Sequence, residues 1–142
     1  MKHWILTVAL LLCGMAASEA QVRFETCSTD ELRELAVRSG KRVFIDLYAS
    51  WCGPCRQMER DVFSQRAVGE FFDRRFVAAK YSVDRSTGRQ LMQRYGNGAI
   101  PLYLVFDTEG NLLGRIEGAA PAEKFLAELQ RILDKHPAEK GK

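Results

Sequence analysis

The chain has 142 residues with 21 basic and 18 acidic side chains, a net charge of +3; this length suits one domain, and the interleaved signs form no basic stripe for nucleic acid. Such a chain buries roughly two thirds of its surface and needs no disulfide staples to hold a core. Its four cysteines therefore read as chemistry rather than scaffolding.

Met1-Lys2-His3, the apolar stretch Trp4 to Ala17 and the small residues Ser18 and Ala20 describe a secretory signal peptide over residues 1–20, cleaved after Ala20. The apolar segment is too brief for a comfortable membrane span, with retention as an anchor the alternative. A lipoprotein is disfavoured because Leu12, not a small residue, precedes Cys13. Cleavage leaves residues 21–137 as one domain and 138–142 as a solvated tail. Lys2 and Glu19 leave together, so the net charge is unchanged. With Cys13 gone, Cys27 is the odd cysteine in an oxidising compartment. It is read as a small buried apolar residue, with a free thiol or an intermolecular link as alternatives.

Ser28-Thr29-Asp30-Glu31 is a capping box opening a first helix with Leu32, Leu35 and Ala36 on its apolar face, stopped by Gly40. The apolar, β-branched and aromatic run 42–49 predicts a central strand covered on both faces. A helical pattern from Gly53 carries Met58, Val62 and Phe63 and restarts near Gln65 with Val68, Phe71 and Phe72, which predicts a bend between two halves. Phe76 to Val83 reads as a second strand and Ser86 to Tyr95 as a short helix ending at Gly96. Leu102 to Phe106 and Leu112 to Ile116 flank a turn-rich segment, predicting an antiparallel hairpin with Gly110 at a positive φ. Pro121 opens a last amphipathic helix with Phe125, Leu126, Leu129, Ile132 and Leu133 on one side. The fold class is α/β, a central mixed sheet with helices on both faces.

Where the first long strand gives way to a helix stands Cys52-Gly53-Pro54-Cys55. Two thiols at this spacing form a reversible dithiol/disulfide switch. Gly53 permits a sharp turn and Pro54 suits a first helical turn, so both sulfurs come within disulfide range. Cys52, near the helix N-terminus, is favoured as thiolate and is the expected nucleophile. Cys55, one turn further in and less exposed, is the expected resolving thiol. Half a zinc site is an alternative, but only Cys27 and His136 remain as comparable further ligands beyond the first twenty residues, and no metal is expected. A structural disulfide is the other alternative, although so short a loop restricts the unfolded chain little. Asp46 is a carboxylate inside an apolar strand, costly unless paired, hydrated or useful.

The segments Asp46 to Cys55, Ala79-Lys80-Tyr81-Ser82-Val83-Asp84 and Tyr95-Gly96-Asn97-Gly98-Ala99-Ile100-Pro101 resemble thioredoxin in motif and order. With the Gly110 turn and Gly118, the match runs from about Val43 to Leu129. The active-site helix, continuing Cys-Arg-Gln-Met-Glu-Arg-Asp-Val-Phe-Ser, is most similar to exported thioredoxin-like domains, including the C-terminal domain of a membrane thiol-disulfide electron transporter. The resemblance implies a thioredoxin-like fold with a cis peptide at Ile100-Pro101 facing the sulfurs. It places Asp46 behind Cys55 as its proton acceptor, with Lys80 on the next strand opposing the rise of the Asp46 pKa that burial causes. The alternative is a structural Asp46–Lys80 pair.

Trp51, Gly53, Pro54, Ile100 and Pro101 then form the substrate-binding surface, and Tyr48 reads as a core aromatic. The resemblance implies a periplasmic or secreted protein-disulfide reductase, monomeric and working without a bound cofactor. Disulfide-bearing exported proteins are its implied acceptors, a membrane electron transporter its donor. A net oxidant or isomerase, and a non-catalytic partner-binding module, are the other readings.

Overall fold

The computed structural model describes residues 21–138. The expected signal peptide, and residues 139–142 of the expected tail, lie outside the described residues. The elements in chain order are β1 (Phe24–Glu25), α1 (Thr29–Ser39), β2 (Arg42–Tyr48), α2 (Gly53–Met58), a π-helical turn (Glu59–Phe63), α3 (Arg66–Arg75), β3 (Phe76–Ser82), α4 (Ser86–Tyr95), β4 (Leu102–Phe106), β5 (Leu112–Glu117) and α5 (Ala122–Lys135). They build one five-stranded sheet in the order β1-β3-β2-β4-β5. β1, β3 and β2 run parallel, while β4 pairs antiparallel with both β2 and β5. The expected mixed sheet and thioredoxin-like architecture are what the chain adopts.

The two faces of β2 divide the core because alternate residues of a strand point to opposite sides. Val43, Ile45 and Leu47 face α1 and α4 through Leu32, Ala36, Leu91 and Tyr95. Phe44 faces α2, α3 and α5 in a cluster with Met58, Phe63, Phe72, Tyr103 and Phe125. That second cluster is largely aromatic, with Phe44 against Phe72 at 4.8 Å and against Tyr103 at 5.6 Å between ring centroids. Edge-to-face and offset contacts of this kind add to the burial of large rings.

α1 begins with the Ser28–Glu31 capping box and ends at Gly40, whose φ of 67° is left-handed. α2 runs on into the π-helical turn, which has no proline within it; the expected break between the two helical halves falls at Gln65. Val62 and Phe63, neighbours within this turn, are both buried in the core. α3 then starts afresh from extended Gln65. β1 gave no signal in the sequence because two residues carry no period. Among the described residues no helix is long and apolar enough to cross a membrane.

Candidate active site

β2 ends at Tyr48, and the chain crosses Ala49-Ser50-Trp51 before α2 begins. Cys52 is the N-cap of α2, and its Sγ accepts the Cys55 amide N–H at 3.2 Å. Sulfur thus takes the place an oxygen usually holds at a helix start, where unpaired amides favour a negative partner. Cys52 and Cys55 are joined as a disulfide with Cα atoms 5.3 Å apart. Both residues are buried, 4% and 5% exposed, so the expected difference in exposure is absent while they are bonded to each other. Gly53 has no positive φ and a Cβ there would meet open space. Its place in the motif is therefore not a backbone requirement, because the first turn of α2 provides the sulfur geometry.

Ile100 packs on the cluster formed by Ala49, Cys52 and Cys55. The Ile100–Pro101 peptide bond is cis, and the Pro101 carbonyl accepts the Gly118 N–H at 2.9 Å, which draws the loop before α5 to the same end of the sheet. Trp51 is 66% exposed, and its indole N–H donates to Asp84 Oδ2 at 3.0 Å. The ring is thus exposed and held in one orientation by its polar edge.

Asp46 lies two residues beyond Phe44 on β2 and points into the same layer, the one α2 covers. It is the buried charged residue of the described chain. Burial pushes its pKa up to about 7, with the charge of Lys80 opposing the rise. Lys80 is its register partner on β3, yet the ion pair Lys80 forms is with Glu59 of the π-helical turn. The alternative of a closed structural Asp46–Lys80 pair is thus not what forms; Glu59, Lys80 and Asp46 make a chain of charges in which Lys80 opposes the rise of the Asp46 pKa, as expected. Desolvation lowers the Lys80 pKa and Asp46 raises it. The Lys80 ammonium also sits 4.3 Å from the Tyr48 ring centroid, so the half-buried Tyr48 is a wall of the charged site as much as a core residue.

Sequence reasoning missed Glu59, Asp84 and Tyr103. Glu59 stands four residues after Cys55, one helical turn on, and Tyr103 lies two residues after Pro101; those spacings were the available signals. Cys27 is half-buried beside Leu32 and Tyr81, and its thiol pKa is raised by burial, Glu31 and Glu25. It belongs to the opposite face of the sheet from Asp46. Among the described residues no three His, Cys, Asp or Glu side chains gather as metal ligands do.

Residues 30–133 match the family model of the thioredoxin-like domain. The chain is 35% identical over 106 residues to the thiol:disulfide interchange protein DsbD of Ralstonia nicotianae, covering 73% of this chain and 17% of that protein. It is 32% identical over 120 residues to the chloroplastic thioredoxin Y of Oryza sativa subsp. japonica, covering 84% of this chain and 66% of that one. The solution structure of a thioredoxin from Thermus thermophilus superposes with a TM-score of 0.72 at 29% identity, covering 83% of this chain and 92% of that one. The chain therefore spans about a fifth of the length of the interchange proteins it matches.

Proposed function

Because the chain belongs to the thioredoxin-like domain family, we propose that it is an exported thiol-disulfide oxidoreductase whose residues 21–137 form the working unit and which reduces disulfides in other exported proteins. The observation that carries this reading is the Cys52–Cys55 disulfide at the start of α2, with the Cys55 amide directed at Cys52 Sγ and a buried carboxyl of pKa about 7 beneath the same helix layer.

In the reduced protein the Cys52 thiolate attacks one sulfur of a substrate disulfide. A new S–S bond joins Cys52 to the substrate, and the other substrate sulfur leaves as a thiolate that takes up a proton. Asp46, as carboxylate, accepts the Cys55 proton directly or through water. The Cys55 thiolate then attacks Cys52 Sγ, the mixed disulfide breaks, and the second substrate sulfur departs. Two electrons pass from the protein dithiol to the substrate, and the Cys52–Cys55 bond is restored. A carboxyl titrating near 7 suits this task, since it both takes and returns a proton at neutral pH.

Lys80 tempers the Asp46 carboxyl. Trp51, Gly53 and Pro54 offer the substrate a surface on one side of the sulfurs, and Ile100 with Pro101 on the other. Pro101 has no N–H to give to a strand ladder, and this favours an extended substrate chain pairing with the backbone of Ile100. The Gly53-Pro54 dipeptide and Ile100, shared with thioredoxin, support the reducing direction. In an oxidising compartment a reductant must be recharged, and similarity to thiol:disulfide interchange proteins supports a membrane dithiol electron transporter as donor.

The test is the equilibrium reduction potential of the Cys52/Cys55 couple in defined thiol-disulfide buffers. A value near about −270 mV is expected for a reductant; one near about −120 mV makes the protein an oxidant.

A further inference from the structure

Four chain segments meet at the disulfide. Residues 50–56 carry it, residues 84–89 are tied to it by the Trp51–Asp84 hydrogen bond, residues 97–101 bring Ile100 against it, and residues 118–121 join through the Gly118–Pro101 hydrogen bond. Among these segments the charged side chains are Arg56, Arg85, Arg89 and Asp84. The single acid is already engaged, since its Oδ2 accepts the Trp51 indole N–H. The three arginines are all exposed.

Two of those guanidinium groups are held in place beside Trp51. Arg56 Nη1 donates to the Ser50 carbonyl at 2.6 Å, and Ser50 is the residue before Trp51. Arg89 Nη2 donates to the Asp84 carbonyl at 3.0 Å, and Asp84 holds the indole. Each bond uses one of five N–H donors and leaves the rest of the planar fork for a carboxylate. A guanidinium already oriented by a backbone carbonyl loses less freedom when it pairs than a free one does.

Resting on the reductase reading above, we infer that this site selects disulfides flanked by acidic residues. The substrate's apolar contact lies on Trp51, and an Asp or Glu beside the substrate cysteine pairs with Arg56 or Arg89, with Arg85 adding to the field. Exposed ion pairs are individually weak, so the selectivity is roughly threefold to tenfold at low ionic strength. It fades as the screening length contracts from about 30 Å at 0.01 M salt to about 3 Å at 1 M.

The test uses three synthetic peptides with the same intramolecular disulfide, flanked by Glu, Gln or Lys. The second-order rate constant of the pre-reduced protein with each is divided by that of dithiothreitol with the same peptide, which removes the effect of the flanks on the disulfide itself. The expected order is Glu above Gln above Lys, with the Glu/Lys ratio collapsing in 1 M salt and in the Arg56→Gln/Arg89→Gln double variant. A corrected ratio at or below one, or one that ignores salt in the unmutated protein, overturns the inference while reduction of the Gln peptide leaves the reductase reading standing. Failure to reduce any of the three overturns both.

Discussion

Asp46 and Tyr103 stand opposite each other as register partners across the β2–β4 ladder, and each carries a buried side-chain oxygen, Asp46 Oδ1 and Tyr103 OH, with no hydrogen-bond partner among the described residues. Burial and then the charge of Asp46 push the Tyr103 phenol far above its ordinary pKa. The phenol therefore stays protonated, which leaves Asp46, at about 7, as the group of this pair that titrates near neutrality.

The Tyr103 ring is packed against Phe44, Phe63 and Phe125 with centroids 5.6, 5.8 and 5.0 Å away, and none of those contacts needs the hydroxyl. Removing an unpartnered buried hydroxyl while keeping the ring relieves its desolvation. Tyr103→Phe is expected to raise stability by about 1 kcal/mol, read as a higher urea midpoint at unchanged slope. A loss of similar size would show that the hydroxyl has a bound partner such as water.

Burial raises the Asp46 carboxyl from 3.8 to about 7, so across that interval the folded protein keeps a proton that the unfolded chain has released. The group's contribution to stability is full below about pH 4, falls by about 1.36 kcal/mol per unit as pH rises, and is gone above about pH 7. Asp46→Asn lacks this dependence. In the oxidised form the wild-type protein should lose on the order of 4 kcal/mol relative to the variant between about pH 4 and pH 8. Parallel stability curves, from chemical unfolding at each pH, would contradict a perturbed Asp46.

Lys80 lowers the Asp46 pKa by its charge, so Lys80→Met should move it further up. Release of the Cys55 proton to Asp46 requires the carboxylate, and the rising limb of the pH–rate profile for single-turnover reduction should shift to higher pH by roughly one unit. The test compares the two profiles. Equal midpoints with a lower plateau would assign Lys80 to structure through its Glu59 pair rather than to tuning.

Gly88 is buried in α4, and a Cβ there would strike the Ser82 carbonyl at the end of β3. Since Asp84, which holds Trp51, lies between those two elements, Gly88→Ala should both destabilise the fold by roughly 1–3 kcal/mol and disturb the indole. Thermal unfolding and the Trp51 fluorescence maximum are the readouts, and an unchanged melting temperature would show that α4 shifts without strain.

Much of the fold was legible in the sequence. The Ser28–Glu31 box and Gly40 bound α1 because capping is local chemistry. The apolar run of β2, interrupted by Asp46, reported a strand covered on both faces, and the two arms around Gly110 reported a hairpin. The two-residue β1 and the π-helical turn were not legible. Pairing with β3 creates the first, and the second carries no proline or other local marker in its residues.

At the site, the sequence by itself determined the candidates for the chemistry: the spacing of Cys52 and Cys55, the helix start that faces Cys52, and an acid in the middle of an apolar strand. Only the tertiary structure decided what surrounds them. It gave Lys80 to Glu59 rather than to Asp46, set Tyr103 opposite the buried carboxyl, and tied Trp51 to Asp84, 33 residues away. The physical reason is range. Helix capping and strand periodicity act over a few neighbouring residues and are written in local spacing, whereas desolvation and ion pairing depend on which distant segments the packed sheet brings within a few ångströms.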